Sequence, residues 1–329
     1  MLSFFRHSYL AQHFAIIMMA LVLWMPAFIT KSAFIPGEST TPLYNVIVST
    51  FAFSPFLINA LAFAVYLICI FLFNSVLSAN RLVTKNNTVG AFTFGLMMCC
   101  APSLHSCYPF IFACPFILMA MHTLFLIYQT DNPENYMMNI GYFIAIASLF
   151  YYPSVFLMIW VVISFLILGF REIRYLMIPI TGFLLVNGLF VGLAFLFGNI
   201  DVLIDSYSIF FRNVNFFYDL NGTDEVLLII FGVLFLISLL RILSNRASDK
   251  GSNIRKRVGV AVILTIFSFV MFFMHTPLMN NSIVFMMFAF FYAMALSDIK
   301  KTKIANVITI IVTLIILANQ YLPLLGISL

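Results

Sequence analysis

The sequence predicts an all-α membrane protein: a polytopic transmembrane helical bundle of about eleven spans, with the N-terminus inside and the C-terminus outside. Three observations carry this expectation. Only 8% of the residues are charged and 64% are hydrophobic, whereas a surface facing water requires roughly a quarter charged. The apolar runs recur along the whole chain at the length, about 20 residues, that a helix needs to cross a hydrocarbon core. The few basic residues cluster in alternate gaps between those runs. The run Val260–Met274 does not alternate, as the strands of an outer-membrane barrel would over about 10 residues. Helices are then the element that satisfies its own backbone hydrogen bonds in lipid. No polar stretch is long enough for a separate soluble unit, so residues 1–329 read as a single integral membrane domain.

The first run, Phe14–Thr30, follows MLSFFRHSYLAQH and ends in Phe28, Ile29, Thr30 and Lys31 without an A-x-A cleavage site. It reads as a retained helix rather than a cleaved signal. Phe4, Phe5, Tyr9 and Leu10 before it suit a short amphipathic lead-in along the interface. The second run, Val46–Phe73, is long and contains Pro55, a helix breaker. Val89–Ser103, Tyr108–Tyr128, Ile140–Tyr152 and Ser154–Phe170 follow, then Leu176–Gly198, Val226–Leu243, Val258–Met274, Ile283–Leu296 and Ile304–Leu322. Val89–Ser103 and Ile140–Tyr152 are short for full crossings.

Lys and Arg prefer cytoplasmic loops, and this bias sets the orientation. With the N-terminus inside, the inner gaps hold Arg81 and Lys85, then Arg171 and Arg174, then the cluster Arg246, Lys250, Arg255, Lys256 and Arg257, and finally Lys300, Lys301 and Lys303. The acidic inner gap at Asp131 and Glu134 does not oppose this, because acids weigh little in the rule. The outer gaps hold Lys31 and Glu38, His105, Tyr151 and Tyr152, the segment 199–225, and His275. The segment 199–225, NIDVLIDSYSIFFRNVNFFYDLNGTDE, carries several acids against the single base Arg212. Its loose helical spacing of apolar residues predicts an outer amphipathic helix, with a turn at Asn221 and Gly222.

Two passages resemble a family of uncharacterised Bacteroidota integral membrane proteins, known only as a domain of unknown function. They are NIGYFIAIASLFYYPS, Asn139–Ser154, and FREIRYLMIPITG, Phe170–Gly182. The chain has Ile173, Arg174 and Tyr175 where that family commonly shows a Trp after the Glu. The resemblance implies a bacterial cytoplasmic (inner) membrane location and brings no activity. On physical grounds, Arg171 and Arg174 suit headgroup level, and Glu172 suits a local pair. Pro179 and Gly182 suit a closely packed span.

The few charges near the membrane define the chemical candidates. Glu38 is the sole acid between the first two spans, in KSAFIPGESTTP. The topology resembles multi-spanning glycosyltransferases that use polyprenyl-phosphate-linked sugars. That resemblance implies a catalytic acid in the first outer loop, deprotonating an acceptor hydroxyl; such families usually show paired acids there, and here Glu38 stands alone after Pro36 and Gly37. General-base chemistry needs an acid beside the acceptor, and Arg212 suits a donor phosphate. Asp201 and Asp205, four residues apart, share a helix face, where they suit a second carboxylate or a divalent metal. His105 and His275 both fall on the outer side, beside any substrate held there. His122, within an apolar run, reads as a hydrogen-bonded packing residue.

The five cysteines lack metal-ligand spacing and read as small buried hydrophobes, with Cys107 near a helix end and open to access. No H-E-x-x-H, G-x-S-x-G, Walker or dinucleotide pattern occurs, so no cofactor is expected. Asn59, His122 and Asn187 are too sparse for a titrating proton relay, and no inverted repeat suggests a transporter. Expected partners are membrane lipids, a polyprenyl-phosphate-linked sugar and an envelope protein, with no nucleic acid. The competing expectation is a non-enzymatic membrane subunit or lipid transporter of an envelope system.

Overall fold

The computed structural model describes residues 2–30, 41–51, 53–84, 87–100, 104, 107–127, 130, 132–198, 200, 201, 204, 222–249, 252–274, 282–299 and 302–321. These are helical almost throughout, and no strand occurs among them. The helices are α1 Leu2–Phe5, α2 Leu10–Thr30, α3 Pro42–Phe51, α4 Pro55–Ala79, α5 Val89–Met97, α6 Pro109–Leu126 and α7 Pro133–Phe150. A 3-10 turn, Tyr152–Phe156, leads into α8 Leu157–Leu168. There follow α9 Ile173–Leu196, α10 Gly222–Asp249, α11 Ser252–Met274, α12 Ile283–Asp298 and α13 Thr302–Tyr321. Each apolar run falls on one of these helices, except Val46–Phe73, which divides between α3 and α4. Six of them, α2, α4, α6, α9, α10 and α13, are long and apolar enough to cross a membrane.

Several boundaries differ from expectation, each for a local reason. Pro55 breaks the second run: it occupies the first turn of α4, where its missing N–H costs nothing, and Ser54 caps that end. α7 begins at Pro133 rather than near residue 140, with Glu134 in its first turn, where the helix dipole favours an acid. The segment expected to be short is therefore 18 residues long, about 27 Å. α5 is only 9 residues, about 13 Å, less than half of a hydrocarbon core. The lead-in has two faces: Phe4, Tyr9 and Leu10 are exposed. Leu2 and Phe5 are buried, the Leu2 N–H donates to Asn306 Oδ1 at 2.7 Å, and Phe5 stacks on Phe92.

The centre of the bundle is α12 and α5. Every residue from Ile283 to Leu296 is buried, as is every residue of α5. α12 packs on α5, α10 and α11, while α4 packs on α5 and α6. α9 is the opposite case: Leu184, Leu189, Leu193 and Leu196 are all exposed, which suits a helix facing acyl chains. It is held to the bundle by α7 at one close crossing. A Cβ on Gly141 would collide with the Pro179 carbonyl, and one on Gly182 would lie 2.7 Å from the Met138 carbonyl. The two passages that carry the family resemblance thus pack on each other through Gly141, Pro179 and Gly182. Arg174 pairs with Glu134 of α7 at 2.7 Å, where a local pair with Glu172 was expected.

Candidate functional site

The side-chain bonds sort the helix ends into two groups, and these define two chemically different ends of the bundle. At the tyrosine end, Thr41 Oγ1 donates to the Phe150 carbonyl at 2.6 Å. Tyr44 Oη donates to the Cys107 carbonyl at 2.8 Å. Tyr108 bonds Ser282, and Phe110 meets Tyr151 edge-on at 5.4 Å. The last turn of α13 closes over the end of α5: Asn319 Nδ2 donates to the Cys100 carbonyl at 3.2 Å and Gln320 Nε2 to that of Cys99. α5 stops within the bundle, so its final carbonyls have no water to meet. The two amides supply the donors. Beneath them, Cys99 Sγ donates to Tyr66 Oη at 3.0 Å, and Tyr66 Oη donates to the Gly95 carbonyl at 2.6 Å.

Most sequence-predicted site residues fall in the connections between helices. Glu38, His105, Asp205, Arg212 and His275 lie outside the described residues. Asp201 is described and exposed. The stems of three of these connections converge. Thr41 is three residues from Glu38, Cys107 is two from His105, and Ser282 is seven from His275; all three are engaged in the polar cluster of Tyr44, Tyr108 and Phe150. The cysteines are free thiols and all buried. Cys107 is 1% exposed, so its expected accessibility is overturned: Tyr44 and the α6 entry cover it. Burial pushes its thiol up to about 12, against a smaller opposing effect of the Tyr44 bond, and burial likewise raises the Tyr44 phenol. Both stay neutral and act as packing and hydrogen-bonding groups. Among the described residues, no group of three or more His, Cys, Asp or Glu side chains is placed to hold a metal.

The other end is basic. Every described lysine and arginine lies there, and several bond to the C-terminal carbonyls of helices that end there. Arg6 donates to the Leu296 and Ile299 carbonyls at the end of α12, at 2.8 and 2.6 Å. Arg241 reaches the Asp298 carbonyl at 3.4 Å, and Lys256 the Leu168 carbonyl of α8 at 3.2 Å. Arg257 spans two helices, donating to the Asn80 carbonyl after α4 at 2.7 Å and to the Phe125 carbonyl of α6 at 3.2 Å. A helix C-terminus carries about −0.5 elementary charge, so two of them offset one guanidinium. That explains how Arg257 can be only 4% exposed with no carboxylate partner among the described residues.

Asn80 is the hub of this cluster. Its Nδ2 donates to the Val76 carbonyl at 2.7 Å and meets His122 Nδ1 at 3.0 Å, so the His122 acceptor is Nδ1 and its proton sits on Nε2. The reading of His122 as a hydrogen-bonded packing residue holds. The part played by Arg257 was not foreseen, because it sits in a run of bases that reads as a topology signal. A sequence signal for it does exist: Arg257 falls on the helical stripe of Val260, Ala261, Leu264 and Ser268, all of which are buried.

No protein-family model matches the chain, and no curated protein matches it in sequence.

Proposed function

We propose that this chain is a bacterial inner-membrane protein with its basic end in the cytoplasm and its tyrosine end outside, so that the N-terminus is inside and the C-terminus outside. We further propose that it transfers a sugar from a polyprenyl-phosphate carrier in envelope glycan assembly. The orientation reading draws on the segregation of the described Lys and Arg residues at one end, which the positive-inside bias assigns to the cytoplasm.

The observation that carries the catalytic reading is the convergence of the stems that flank Glu38, His105 and His275 around Tyr44 and Tyr108. A transferase acting on a lipid-linked donor needs its base, its phosphate ligand and the acceptor at one membrane-proximal point. The tie between the stems supports this reading for the connections that carry Glu38, His105 and His275. In this reading Glu38 takes the proton from the acceptor hydroxyl as its oxygen bonds the anomeric carbon and the bond from that carbon to the carrier phosphate breaks. Arg212 holds the departing phosphate, with Asp201, Asp205, His105 and His275 lining the same face.

The test is complementation of a strain lacking the gene. Glu38→Gln removes the base while keeping size and hydrogen-bonding capacity, and should abolish the glycan product although the protein accumulates in the membrane at the wild-type level. An undiminished product from the Glu38→Gln strain removes the catalytic proposal. It leaves the non-enzymatic subunit or lipid transporter as the reading to pursue.

A further inference from the structure

Two helices at the basic end terminate in the same backbone motif, and they differ at the one position where the motif is selective. α8 closes with the Phe170 N–H on the Phe165 carbonyl at 3.0 Å and the Gly169 N–H on the Leu166 carbonyl at 3.2 Å. α4 closes with the Leu82 N–H on the Leu77 carbonyl at 3.0 Å and the Arg81 N–H on the Ser78 carbonyl at 3.2 Å. Both are Schellman ends, whose pivot residue adopts the left-handed conformation and is usually glycine. Gly169 fills that role at φ 105°, whereas α4 uses Arg81 at φ 55°, the one non-glycine residue at positive φ among the described residues. A side chain in this region carries strain that glycine avoids, and strain of this kind marks functional positions.

The strained residue is an exposed arginine beside a buried one. Arg257 is bonded to the carbonyl of Asn80, the residue preceding Arg81. His122 bonds the same Asn80. No described carboxylate pairs with either arginine: Glu134 is engaged by Arg174, the sole ion pair among the described residues. Two buried polar atoms in the cluster, Arg257 Nε and Asn80 Oδ1, lack a hydrogen-bond partner. The two helix ends offset Arg257, but nothing described offsets Arg81.

We propose that Arg81, with Arg257 behind it and His122 at its side, forms a binding site for an anionic phosphate group at the membrane surface. A guanidinium presents paired donors that match phosphate oxygens, and the basic end places Arg81 at the level of lipid headgroups. The phosphate of an anionic lipid and a soluble phosphate share this chemistry. The site is independent of the catalytic reading at the opposite end.

The left-handed pivot supplies an unusual test, because glycine at position 81 suits the backbone better than arginine does. The full-length protein in detergent is titrated with short-chain phosphatidylglycerol, with the corresponding phosphatidylcholine, and with inorganic phosphate, following thermal stability and intrinsic tryptophan fluorescence. Phosphatidylglycerol should bind more tightly than phosphatidylcholine. Arg81→Gly and Arg81→Asn should each weaken it about tenfold, the loss of one charge-assisted contact, while the ligand-free melting temperature is unchanged or higher. If inorganic phosphate alone shows the Arg81-dependent binding, the site stands and its ligand is soluble. Equal affinity for the two lipids with no phosphate binding, or affinities unaltered by both substitutions, overturns the proposal.

Discussion

The two ends of this bundle solve one problem with opposite chemistry. At each end, helices stop and leave carbonyls without intrahelical partners. At the basic end those carbonyls are met by cations: Arg6, Arg241, Lys256 and Arg257 reach the ends of α4, α6, α8 and α12. At the tyrosine end the carbonyls of Phe150, Cys100 and Cys99 are met by neutral groups, the hydroxyl of Thr41 and the amides of Asn319 and Gln320, and the Tyr44 hydroxyl serves the Cys107 carbonyl just before α6. Neutral donors suit carbonyls that stop inside the bundle, as those after α5 do, since a charge there would cost far more to desolvate than an amide. Cations suit an end at headgroup level, where the guanidinium complements the dipole and part of it still meets water or lipid. The basic residues gathered at one end are therefore also the caps of its helices.

The comparison holds only while the helices joining the two ends keep their register. The most damaging change is accordingly at the α7–α9 crossing rather than at either end. Gly141→Val drives a branched side chain into the Pro179 carbonyl, which is backbone and cannot swing aside. Overpacking of this kind costs about 3 kcal/mol or more, and the variant should fail to accumulate as a monodisperse protein by detergent size-exclusion chromatography. Next is Arg257→Ala, which strips the Asn80 and Phe125 carbonyls of a buried charged donor. At about 1.5–3 kcal/mol for a hydrogen bond to a charged group, it should lower the melting temperature by several degrees. Arg257→Lys, a single ammonium without a fork, should recover only part of that loss. Full recovery by lysine would mean that the charge matters and the two-helix span does not.

The interior of this pattern was readable in the sequence, and its ends only in part. Helical class and the location of each apolar run follow from length and hydropathy, which dominate in lipid. The break at Pro55 and the close packing at Gly182 follow from backbone chemistry and were expected. The start of α7 was missed because Asn132, Pro133 and Glu134 look like a polar gap; they are a proline-started first turn with an acid at the helix dipole. Arg257 was missed because hydropathy treats neighbouring bases alike, whereas helical phase decides which of Arg255, Lys256 and Arg257 points inward. Only the last is buried. The partnership of α13 with α5 joins residues more than 200 apart, and no local pattern announces such a pairing. For the candidate site, the outer-side charges and the topological resemblance to glycosyltransferases supply the residues, Glu38 and Arg212 foremost; the structure adds only how the stems beside Glu38, His105 and His275 are tied.

Smaller effects test the neutral end. Tyr44→Phe deletes the donor to the buried Cys107 carbonyl and should cost about 1–2 kcal/mol, measured as a shift in thermal or denaturant midpoint. The Cys107 thiol gives a pH readout of the same contact. Its folded value, pushed up to about 12, exceeds that of a free cysteine near 8.5, so the folded state favours the protonated form. The stability it contributes is fully present below about pH 8.5 and is lost as the pH rises toward the folded value. Maleimide should leave Cys107 unlabelled at pH 8 in the folded protein and label it on unfolding. Equal labelling of folded and unfolded protein would show that the tyrosine end is open to water at Cys107.

The smallest effect belongs to the most conspicuous contact at the basic end. Arg174 and Glu134 form a 2.7 Å ion pair, shorter than the Lys256 or Arg241 bonds to carbonyls. Their side chains are 71% and 47% exposed, however, and pairs in water contribute about 0–1 kcal/mol. A double-mutant cycle with Arg174→Met and Glu134→Gln should give a coupling below about 0.5 kcal/mol, reduced further by salt. Glu134 also sits in the first turn of α7, so its single substitution should cost slightly more than that of Arg174, the excess being the lost dipole interaction. The argument from the two ends turns on this ranking. A cation bonded to a helix end inside the bundle should outweigh an equally short ion pair outside it. A coupling at Glu134–Arg174 as large as the loss in Arg257→Ala would show that proximity of charge, and not its burial against helix ends, holds the basic end together.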